Sequence, residues 1–322
     1  MSGALRGVVG DVGGTHARFA VGERVGERVH VSHVRVLPAA DYKTGEAALS
    51  AYMSGLDDAP RRAVIAAAGP VEGGVVEFTN NRGWRFDEHK LAKACRFETV
   101  RLINDFTAQA LAIPHLAAHD TRLIGPRRKT VARATAAVMG PGTGFGAAAL
   151  VDDGHARAVL TSEAGHAAFA PEDEVEIEIL RRLIGEHGRV SVEHVCSGPG
   201  LLNLYRALAA IAGEPAPLAA PDAVTRAGLA GDPLARRALD RFCAILGSVA
   251  GNLALATGAR GGVYISGGIA PDILNVLKAS DFRRRFEAKD RMSDYLAAIP
   301  TRVVIEPHAA LIGAASLLDS RA

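Results

Sequence analysis

A short glycine-rich turn near the start of the chain carries residue types suited to phosphate binding. Asp11-Val12-Gly13-Gly14-Thr15 lies between the apolar runs Gly7–Gly10 and Ala17–Val21, so a carboxylate, glycines and a hydroxyl sit at the tip of a predicted β-hairpin. Glycine permits a positive φ and a close approach of the backbone to a ligand. Successive N–H groups in such a turn form a nest for anions. The sequence therefore predicts a phosphate-binding turn here.

A second turn of the same kind lies in the middle of the chain. Residues 140–146 read Gly-Pro-Gly-Thr-Gly-Phe-Gly and separate the apolar runs Ala136–Met139 and Ala147–Val151. Gly142-Thr143 in this turn corresponds to Gly14-Thr15 in the first. A pair of such hairpins predicts that the protein holds one nucleotide between them.

Asn104-Asp105 comes directly after the predicted strand Val100–Ile103 and opens a predicted helix. Both residue types are favoured as helix caps, and capping alone would explain them. Ligands of α/β sheets nevertheless bind at the carboxyl ends of strands. There Asp105 could accept a hydroxyl proton, and Asn104 could donate to and accept from a neighbouring hydroxyl.

Glu163-Ala164-Gly165-His166 also follows a predicted strand and places an acid and an imidazole on one short segment. A metal site needs more ligands, and neither a cysteine nor a second histidine is close by in the sequence. We interpret Glu163 and His166 as hydrogen-bonding groups for a polyol, because the carboxylate accepts and the imidazole can donate or accept. A polar loop that satisfies its own backbone is the alternative.

A dinucleotide-binding fingerprint is matched in its letters but not in its context. Gly142-x-Gly144-x-x-Ala147 has the glycine spacing, and Glu163 lies at the distance of a ribose-binding carboxylate. That fingerprint requires a helix straight after the glycines. Here Phe145–Val151 is followed by Asp152-Asp153-Gly154 and another apolar run, which predicts a hairpin. The sequence therefore argues against an oxidoreductase, and it contains no Walker A loop.

The composition is that of a globular protein with a sizeable core. The 322-residue chain is 48% hydrophobic, with a net charge of +2 and a pI near 8.5. Its length favours two domains, because a single core stops growing at about 250–300 residues. The basic clusters Arg127-Arg128-Lys129 and Arg283-Arg284-Arg285 contain no aromatic residue, so we expect solvated basic faces and no nucleic-acid partner.

Cysteine usage and apolar runs favour a cytoplasmic protein away from membranes. Cys95, Cys196 and Cys243 are few and far apart and no export signal is recognised, so we expect no disulfide framework. Phe242–Ala259 is uncharged and about long enough to span a bilayer. Asp232-Pro233 is a good helix start, and arginines follow in the first turns, so we interpret the segment as a buried core helix.

Periodicity and turn residues predict a mixed sheet with flanking helices in the first half, then a second sheet followed by several helices. The predicted strands are Gly7–Gly10, Ala17–Val21, Val29–Val36, Ala63–Ala68, Val75–Phe78, Val100–Ile103, Ala136–Met139, Ala147–Val151, Ala156–Leu160, Gly262–Ile265 and Thr301–Ile305. The predicted helices are Gly45–Met53, Asp87–Ala94, Asp105–Ile113, one beginning at Pro171, Pro199–Ile211, Asp222–Leu229, Pro233–Thr257, Pro271–Leu277 and Ala309–Leu318.

Taken together, these motifs resemble the bacterial glucokinase family. The segments that carry the resemblance are Gly10–Thr15, Ile103–Ala108, Gly142-Thr143-Gly144, Glu163-x-Gly165-His166 with Phe169-Ala170-Pro171, and Ser197–Leu201. Each motif is weak by itself, but their order and spacing agree over nearly the whole chain.

The resemblance implies an actin-like, ribonuclease-H-like α/β fold of two domains with a cleft between them. The small domain would be 1–114 plus 303–322, and the large domain 115–302. The implied activity is phosphorylation of glucose to glucose 6-phosphate by ATP with Mg²⁺, in a homodimer.

The resemblance also assigns site residues. The implied glucose ligands are Asn104, Asp105, Glu163, His166 and Glu193, with Asp105 as general base. The implied ATP ligands are Asp11, Gly13, Gly14, Thr15, Gly142, Thr143, Gly144, Gly267 and Gly268. Asp11 would also position Mg²⁺, directly or through water. Only the resemblance singles out Glu193, which would otherwise pass as a surface residue.

The sequence departs from the family pattern at a few positions. His16 stands in place of an asparagine, Ala164 replaces a glycine, and His308-Ala309-Ala310 replaces Asn-Pro-Gly. The proposed base and sugar ligands are all retained, so we expect activity.

Other interpretations stay open. A kinase for a different hexose would keep the same motifs. A kinase of the repressor, open-reading-frame and kinase (ROK) family would share the fold, but its cysteine-rich zinc motif is missing here. A non-catalytic sugar-sensing regulator would need a DNA-binding module, whereas we expect the first strand to begin at Gly7.

Overall fold

The computed structural model describes residues 4–78 and 84–318, and its chain forms two units. The first unit runs to Ala118 and resumes at Glu306, and the second runs from His119 to Ile305. The domain boundaries predicted from the sequence, after 114 and after 302, lie a few residues earlier than these.

The helices and strands follow one another along the chain in this order. In the first unit they are β1 (Leu5–Val12), β2 (His16–Val25), β3 (Arg28–Pro38), α1 (Gly45–Met53), β4 (Arg62–Ala67), β5 (Val75–Glu77), β6 (Arg85–Asp87), α2 (Glu88–Cys95), β7 (Thr99–Asn104) and α3 (Asp105–Ala112). In the second unit they are β8 (Thr121–Ile124), β9 (Ala136–Pro141), β10 (Phe145–Asp152), β11 (Arg157–Ser162), α4 (Glu174–His187), α5 (Gly198–Ala212), α6 (Pro221–Leu229), α7 (Pro233–Thr257), β12 (Val263–Ile265), α8 (Ile269–Asp272), α9 (Leu274–Ala279), α10 (Phe282–Glu287), α11 (Ser293–Ala297) and β13 (Thr301–Val304). The returning segment forms α12 (Ala309–Ser316).

The first unit contains a five-stranded sheet, in the order β3-β2-β1-β4-β7, with helices on both faces, and a two-stranded sheet of β5 and β6. β1, β2 and β3 pair antiparallel, whereas β4 pairs parallel with β1 and with β7. Successive side chains alternate between faces. Val8 thus packs in a core with Leu49 of α1, while Val9 packs in the opposite core with Ala108 of α3 and Leu311 of α12.

The backbone of the last helix, α12, lies close to the backbone of α3. A Cβ placed on Gly313 would lie 1.8 Å from the carbonyl oxygen of Ala108. Only glycine fits this crossing, and it lets the returning segment complete the core on that face of the first sheet.

The second unit repeats the arrangement of the first. Its six-stranded sheet has the order β11-β10-β9-β12-β13-β8. β9, β10 and β11 pair antiparallel, and β12 pairs parallel with β9 and with β13, as in the first unit. β8 is added antiparallel to β13. Asp11–Thr15 and Gly142–Gly144 therefore occupy equivalent hairpins of two similar sheets, as the sequence predicts.

The long helix α7 is a core helix of the second unit. By length and composition it could cross a membrane, but 72% of its apolar window is buried. A Cβ on Gly247 would lie 2.1 Å from the carbonyl oxygen of Phe282, and one on Gly251 would lie 2.6 Å from that of Phe286. The glycines four residues apart thus serve close packing against α10, and the predicted core helix is confirmed.

One prediction about surface charge is wrong. The sequence predicts a solvated basic face at Arg283-Arg284-Arg285, but Arg285 is only 4% exposed and donates to both carboxylate oxygens of the fully buried Glu176 at 2.9 Å. Arg283 donates to the carbonyl oxygens of Ile299 and Ala297, at 2.8 and 3.0 Å. Arg284 is the member of the cluster that faces solvent. The helix α10 turns the other two arginines inward, where carboxylate and carbonyl oxygens compensate their charge.

Local boundaries differ in places from those predicted. The helix expected over Pro271–Leu277 is two short helices, α8 and α9, which meet at Ile273 with φ −102° and ψ 17°. The helix expected from Pro171 begins at Glu174, because the Asp173 side chain accepts the N–H of Glu176 and caps it. The elements β6, β8, α10 and α11 had no counterpart in the prediction, since short segments give little periodicity.

Candidate active site

In the first unit, parallel pairing brings two of the predicted site segments to one edge of the sheet. Val12 pairs with Ala67, which in turn pairs with Asn104, so β1, β4 and β7 end side by side. The N–H of Ala68 donates to the carbonyl of Val12 at 3.0 Å, and Asn104 Nδ2 donates to the carbonyl of Gly69 at 3.2 Å. The turn after β1 and the residues after β7 therefore belong to one edge.

Asn104 caps the helix α3, as the simpler interpretation of the sequence predicts. Its Oδ1 accepts the N–H groups of Phe106 and Thr107 at 2.9 and 3.1 Å. Oδ1 of the half-buried Asp105 accepts the N–H of Phe106 at 2.9 Å. Capping is compatible with ligand binding, because it fixes both side chains at the carboxyl end of β7.

Asp11 is a partly shielded carboxylate with a cationic neighbour. Its side chain is 19% exposed, and Oδ2 accepts from Arg18 Nη1 at 3.1 Å. Burial raises the pKa of Asp11, although Arg18 and His308 both favour its charged form. His308 precedes α12, and its N–H donates to Oε1 of Glu306 at 2.9 Å. His308, which stands where the pattern described above has an asparagine, thus places an imidazole near Asp11.

The first glycine turn is closed by a backbone hydrogen bond from Gly13 N–H to the carbonyl of His16, at 3.0 Å. Gly14 is partly exposed and Thr15 is exposed. The side chain of His16, another departure from the family pattern, is exposed at the start of β2. The turn therefore presents its tip to solvent.

In the second unit, the corresponding turn is held by residues from distant parts of the sequence. The N–H of Gly142 donates to the carbonyl of Gly144 at 2.8 Å. The N–H of Phe145 donates to Oε2 of Glu193 at 2.8 Å, and the N–H of Gly198 donates to the carbonyl of Gly142 at 2.8 Å. Thr143 at the tip is exposed. The structure thus places the predicted ligand Glu193 against the predicted phosphate turn.

Glu163 directly precedes a single turn of 3₁₀ helix, Ala164–His166, and His166 is the last residue of that turn. The N–H of His166 donates to the carbonyl of Glu163 at 3.0 Å, and the N–H of Glu193 donates to the carbonyl of Gly165 at 2.9 Å. This loop satisfies part of its own backbone, as the alternative interpretation predicts, while the side chains of Glu163 and His166 stay exposed. The second unit therefore brings Glu163, His166 and Glu193 into one region.

Gly267 and Gly268 follow β12 at the edge where β9 also ends. The N–H of Ser266 donates to the carbonyl of Met139 at 2.7 Å. Gly267 has a φ of +85°, and a Cβ there would lie 2.5 Å from the carbonyl oxygen of Pro141. Gly268 is exposed and precedes α8. The pair thus lies beside the turn at Gly142–Gly144.

No group of three or more histidine, cysteine, aspartate and glutamate residues suited to a metal ion occurs within residues 4–78 and 84–318. A metal at this site would need ligands from a bound substrate or from water.

The sequence analysis did not predict several contacts that shape the site. Arg18 pairs with Asp11, Gly69 accepts from Asn104, and Ser197 fixes the Glu193 segment by donating to its carbonyl at 2.7 Å. One signal was available for Gly69, because Gly69-Pro70 directly follows the predicted strand Ala63–Ala68, and ligands of α/β sheets bind at the carboxyl ends of strands. Ser197 belongs to a segment that carries the family resemblance, but its contact with the Glu193 carbonyl was not predicted, and Arg18 gives no signal in the sequence.

The chain is similar to known proteins over nearly its whole length. The family model described as Glucokinase matches residues 8–321. A glucokinase of Caulobacter sp. strain K31 is 50% identical over 320 residues, which cover 98% of this chain and 96% of that protein. The crystal structure of a glucokinase from an Antarctic psychrotroph has a TM-score of 0.88 and 38% identity, with 98% of each chain covered.

A ROK family glucokinase from Streptomyces griseus, solved in complex with glucose and AMPPNP, has a TM-score of 0.66. It is 19% identical and covers 97% of this chain and 98% of its own, so this likeness concerns the fold. The chain has the actin-like, ribonuclease-H-like α/β fold of sugar kinases. On the family model and the 50% identity across nearly its whole length, this chain belongs to the glucokinase family of enzymes.

Proposed function

We propose that this protein transfers the γ-phosphoryl group of ATP to the 6-hydroxyl of glucose. The observation that carries the proposal is the position of Asp105, a carboxylate at the carboxyl end of β7 on the edge that also holds the glycine turn after β1. Family membership supports the substrate, and the complex of the S. griseus enzyme with glucose and AMPPNP supports the nucleotide.

Asp105 is proposed as the general base that accepts the proton of the 6-hydroxyl. Its Oδ1 accepts the N–H of Phe106, which holds the carboxylate in one orientation at the first turn of α3. Phosphoryl transfer requires little covalent help from a protein, so catalysis depends on alignment and on charge stabilisation. A fixed carboxylate supplies the alignment and the destination of the proton.

The glucose ligands are proposed to be Asn104 and Asp105 with Glu163, His166 and Glu193. An amide nitrogen carries two hydrogens, so Asn104 Nδ2 can donate to a sugar oxygen while it donates to Gly69. The exposed carboxylate of Glu163 accepts hydroxyl hydrogens, and the exposed imidazole of His166 donates or accepts. Such a set suits the alternating hydroxyls of a hexose.

The phosphates of ATP are proposed to bind Gly13, Gly14 and Thr15 and the equivalent Gly142, Thr143 and Gly144, where backbone N–H groups at the tips of the turns can hold anions. Gly267 and Gly268 would lie near the adenosine, because they adjoin the second turn.

The residues present fit a Mg²⁺ ion that arrives with ATP. Mg²⁺ prefers oxygen ligands and is usually held by one or two carboxylates, waters and substrate phosphates. Asp11 offers one partly exposed carboxylate at the glycine turn, which matches this pattern directly or through water. When bound, Mg²⁺ would neutralise charge on the transferring phosphoryl oxygens. Arg18 would keep the Asp11 carboxylate oriented and would oppose the rise in its pKa that burial causes.

Three further properties are proposed from the family. The two units would act as the small and large domains of the kinase, for which the sequence predicts 1–114 plus 303–322 and 115–302. The protein would be a cytoplasmic homodimer.

The proposal is tested by measuring ADP release in a coupled assay with ATP and Mg²⁺ across glucose, mannose, fructose and N-acetylglucosamine. We expect turnover to be fastest with glucose, and we expect NMR of the product to show the phosphate on the 6-oxygen. Phosphate on another hydroxyl, or turnover with none of these sugars, would contradict the proposal. A preference for another hexose would assign the protein to the alternative kinase activity.

A further inference from the structure

The side chain of Glu193, a proposed sugar ligand, also contacts the proposed phosphate turn. Oε2 accepts the backbone N–H of Phe145 at 2.8 Å, and Phe145 is only 6% exposed. The second carboxylate oxygen, Oε1, extends from the same rigid group. A carboxylate has four lone-pair positions, so one side chain can accept from the turn and from a ligand together.

Gly144 leaves the space that this contact needs. A Cβ on Gly144 would lie 2.6 Å from Oε2 of Glu193, too close for the carboxylate to keep its place. The backbone of Gly144 does not have a positive φ, so alanine is compatible with its conformation. Gly142 in the same turn also lacks a positive φ, but a Cβ there would meet nothing within 4 Å. The two glycines therefore differ in a way that can be tested.

Backbone contacts join three segments of the second unit: residues 142–145, 163–166 and 193–198. Gly198 N–H donates to the carbonyl of Gly142 at 2.8 Å, and Glu193 N–H donates to the carbonyl of Gly165 at 2.9 Å. A Cβ on Gly165 would lie 2.3 Å from the carbonyl oxygen of Phe145. The turn with Glu163 and His166, the segment 193–198 and the turn at 142–145 are thus in backbone contact, with Glu193 as the side chain that joins them.

We propose that the Glu193 carboxylate links the hexose subsite to the phosphate turn, so that each substrate tightens the binding of the other, and that Gly144 is a positioning residue for Glu193. The inference rests on the proposed function. A hydroxyl bound at Glu193 would immobilise a carboxylate that already holds the N–H of Phe145. The turn is then ordered before the phosphates bind, and the nucleotide loses less conformational freedom on binding. By thermodynamic linkage, the nucleotide must tighten glucose binding by the same factor.

The test measures the Kd of glucose by calorimetry without nucleotide, for the wild type, Gly144→Ala and Gly142→Ala. We expect Gly144→Ala to weaken glucose binding by about tenfold, within the range of direct side-chain couplings. Gly142→Ala should leave the glucose Kd unchanged, whatever it does to the nucleotide. Equal losses in the two variants, or no loss in Gly144→Ala, would overturn the inference.

Shortening the displaced side chain should rescue the variant. In a Glu193→Asp background, Gly144→Ala should cost only about twofold in glucose affinity, because the shorter carboxylate no longer meets the new Cβ. A merely structural role of Gly144 predicts the same cost in both backgrounds, which would also overturn the inference. Thermal melting of every variant shows whether the fold is retained.

The reciprocal measurement does not depend on the folding of Gly144→Ala. The Kd of AMPPNP is measured with and without saturating glucose. In the wild type, glucose should tighten AMPPNP by about fivefold or more, and in Glu193→Ala this factor should fall to near one. In Glu193→Ala, AMPPNP binding without glucose should also weaken, because Phe145 N–H has lost its acceptor. An unchanged AMPPNP Kd and an unchanged factor would overturn the link.

The failure of the inference and that of the proposed function are distinguishable. A wild type that binds and phosphorylates glucose, with Gly144→Ala equal to it, removes the link and keeps the function. A wild type with no measurable affinity for glucose removes both.

Discussion

At the scale of single residues, polar side chains in this protein serve structure and chemistry together. Asn104 caps α3 through Oδ1 and still directs Nδ2 to the carbonyl of Gly69. Asp105 takes the N–H of Phe106 with one oxygen. A capping residue is rigid because its hydrogen bonds restrict its rotamers. The hydrogen bonds at the junction of β7 and α3 therefore also orient Asn104 and Asp105, which are proposed to bind the sugar.

Replacing Asp105 by asparagine separates the two roles. Asparagine keeps the size and the capping ability but cannot accept the proton, so kcat should fall by roughly 10²–10⁴-fold while glucose still binds. Steady-state kinetics and glucose calorimetry measure both effects. Asp87→Asn is a matched control, because Asp87 caps α2 through the N–H of Lys90 and lies outside the site. A near-normal kcat in Asp105→Asn would leave Asp105 only its capping role.

His194 is a second residue whose state is set by its contacts. Nδ1 lies 3.0 Å from the N–H of Ser191, which requires an unprotonated acceptor nitrogen, and the ring stacks on His187 with centroids 4.5 Å apart. Burial lowers the pKa of His194, and His187, His166 and Arg189 lower it further, against the opposing effect of Glu193. The folded protein therefore favours the neutral ring.

This shift predicts a loss of stability in mild acid. Because the folded pKa lies below the usual value of 6.5, the unfolded chain binds more protons between the two values. The contribution of the neutral His194 to the free energy of unfolding should be fully present above pH 6.5, and it should be lost as the pH falls from there through the folded pKa. Urea unfolding at a series of pH values from 8 to about 5 should be less pH-dependent in His194→Gln. His119→Gln, at a side chain that is 85% exposed, should behave as the wild type. Identical slopes for all three would remove His194 from this role.

At the scale of elements, charged side chains join helices of the second unit that are distant in sequence. Glu176 of α4 is fully buried and accepts from Arg285 of α10 and from Arg241 of α7, each at 2.9 Å. Arg241 also pairs with Asp173, which caps α4. Burial of a charge is tolerated only where partners compensate it. This cluster therefore specifies how three helices meet.

Removing the central charge should destabilise the second unit. Glu176→Gln leaves two guanidinium groups without their buried partner, so the free energy of unfolding should fall by about 3–5 kcal/mol. Glu178→Gln on the same helix is a matched control, because Glu178 is 30% exposed and pairs with Arg182 at the surface. Its cost should be below about 1 kcal/mol. Urea unfolding followed by far-UV circular dichroism measures both, and equal costs would contradict the proposed importance of the buried cluster.

At the scale of the whole molecule, the same strand arrangement occurs in both units, and the C-terminal segment of the chain adds the helix α12 to the first unit. Both sheets have an antiparallel hairpin region continued by parallel strands. The first unit lacks one of its core helices until residues 309–316 have been added as α12. Leu311 of α12 packs with Val9 and Val64 on one face of the first sheet. Folding of that unit therefore depends on contacts between the two ends of the chain.

A cavity created beneath α12 should lower the stability of the whole first unit. Leu311 is fully buried, so Leu311→Ala should lower the stability of the first unit by about 2–5 kcal/mol. Trp84, the one tryptophan of the chain, is buried in the core on the opposite face, and its fluorescence reports on that unit. The urea midpoint of Trp84 fluorescence should fall in Leu311→Ala. Leu317→Ala, at a partly exposed position just past α12, should cost less. An unchanged midpoint would mean that α12 does not support this core.

Local elements and the residue types of single segments could be predicted from the sequence. Strong apolar periodicity, capping residues and glycine turns predicted the bounds of α1 and α7 and the equivalent hairpins after β1 and β9. These features depend on neighbours within a few residues, which a sequence displays directly. The candidate site residues Asp11, Asn104, Asp105, Glu163 and His166 were singled out in the same way and stay predictions, whereas Glu193 was singled out only through resemblance.

The contacts between residues distant in the sequence, and the space that each glycine leaves for its neighbours, depend on tertiary packing. Nothing near Glu193 in the sequence indicates that its carboxylate accepts the N–H of Phe145, 48 positions away. The sequence predicts that the arginines at 283–285 form a solvated cluster, whereas in the structure Arg285 is packed against Glu176 and donates to it. Gly142 and Gly144 look alike in the sequence, yet only the space beside Gly144 is needed by another side chain. Such pairings depend on where the chain returns to itself, because packing and charge compensation act between surfaces that local periodicity does not specify.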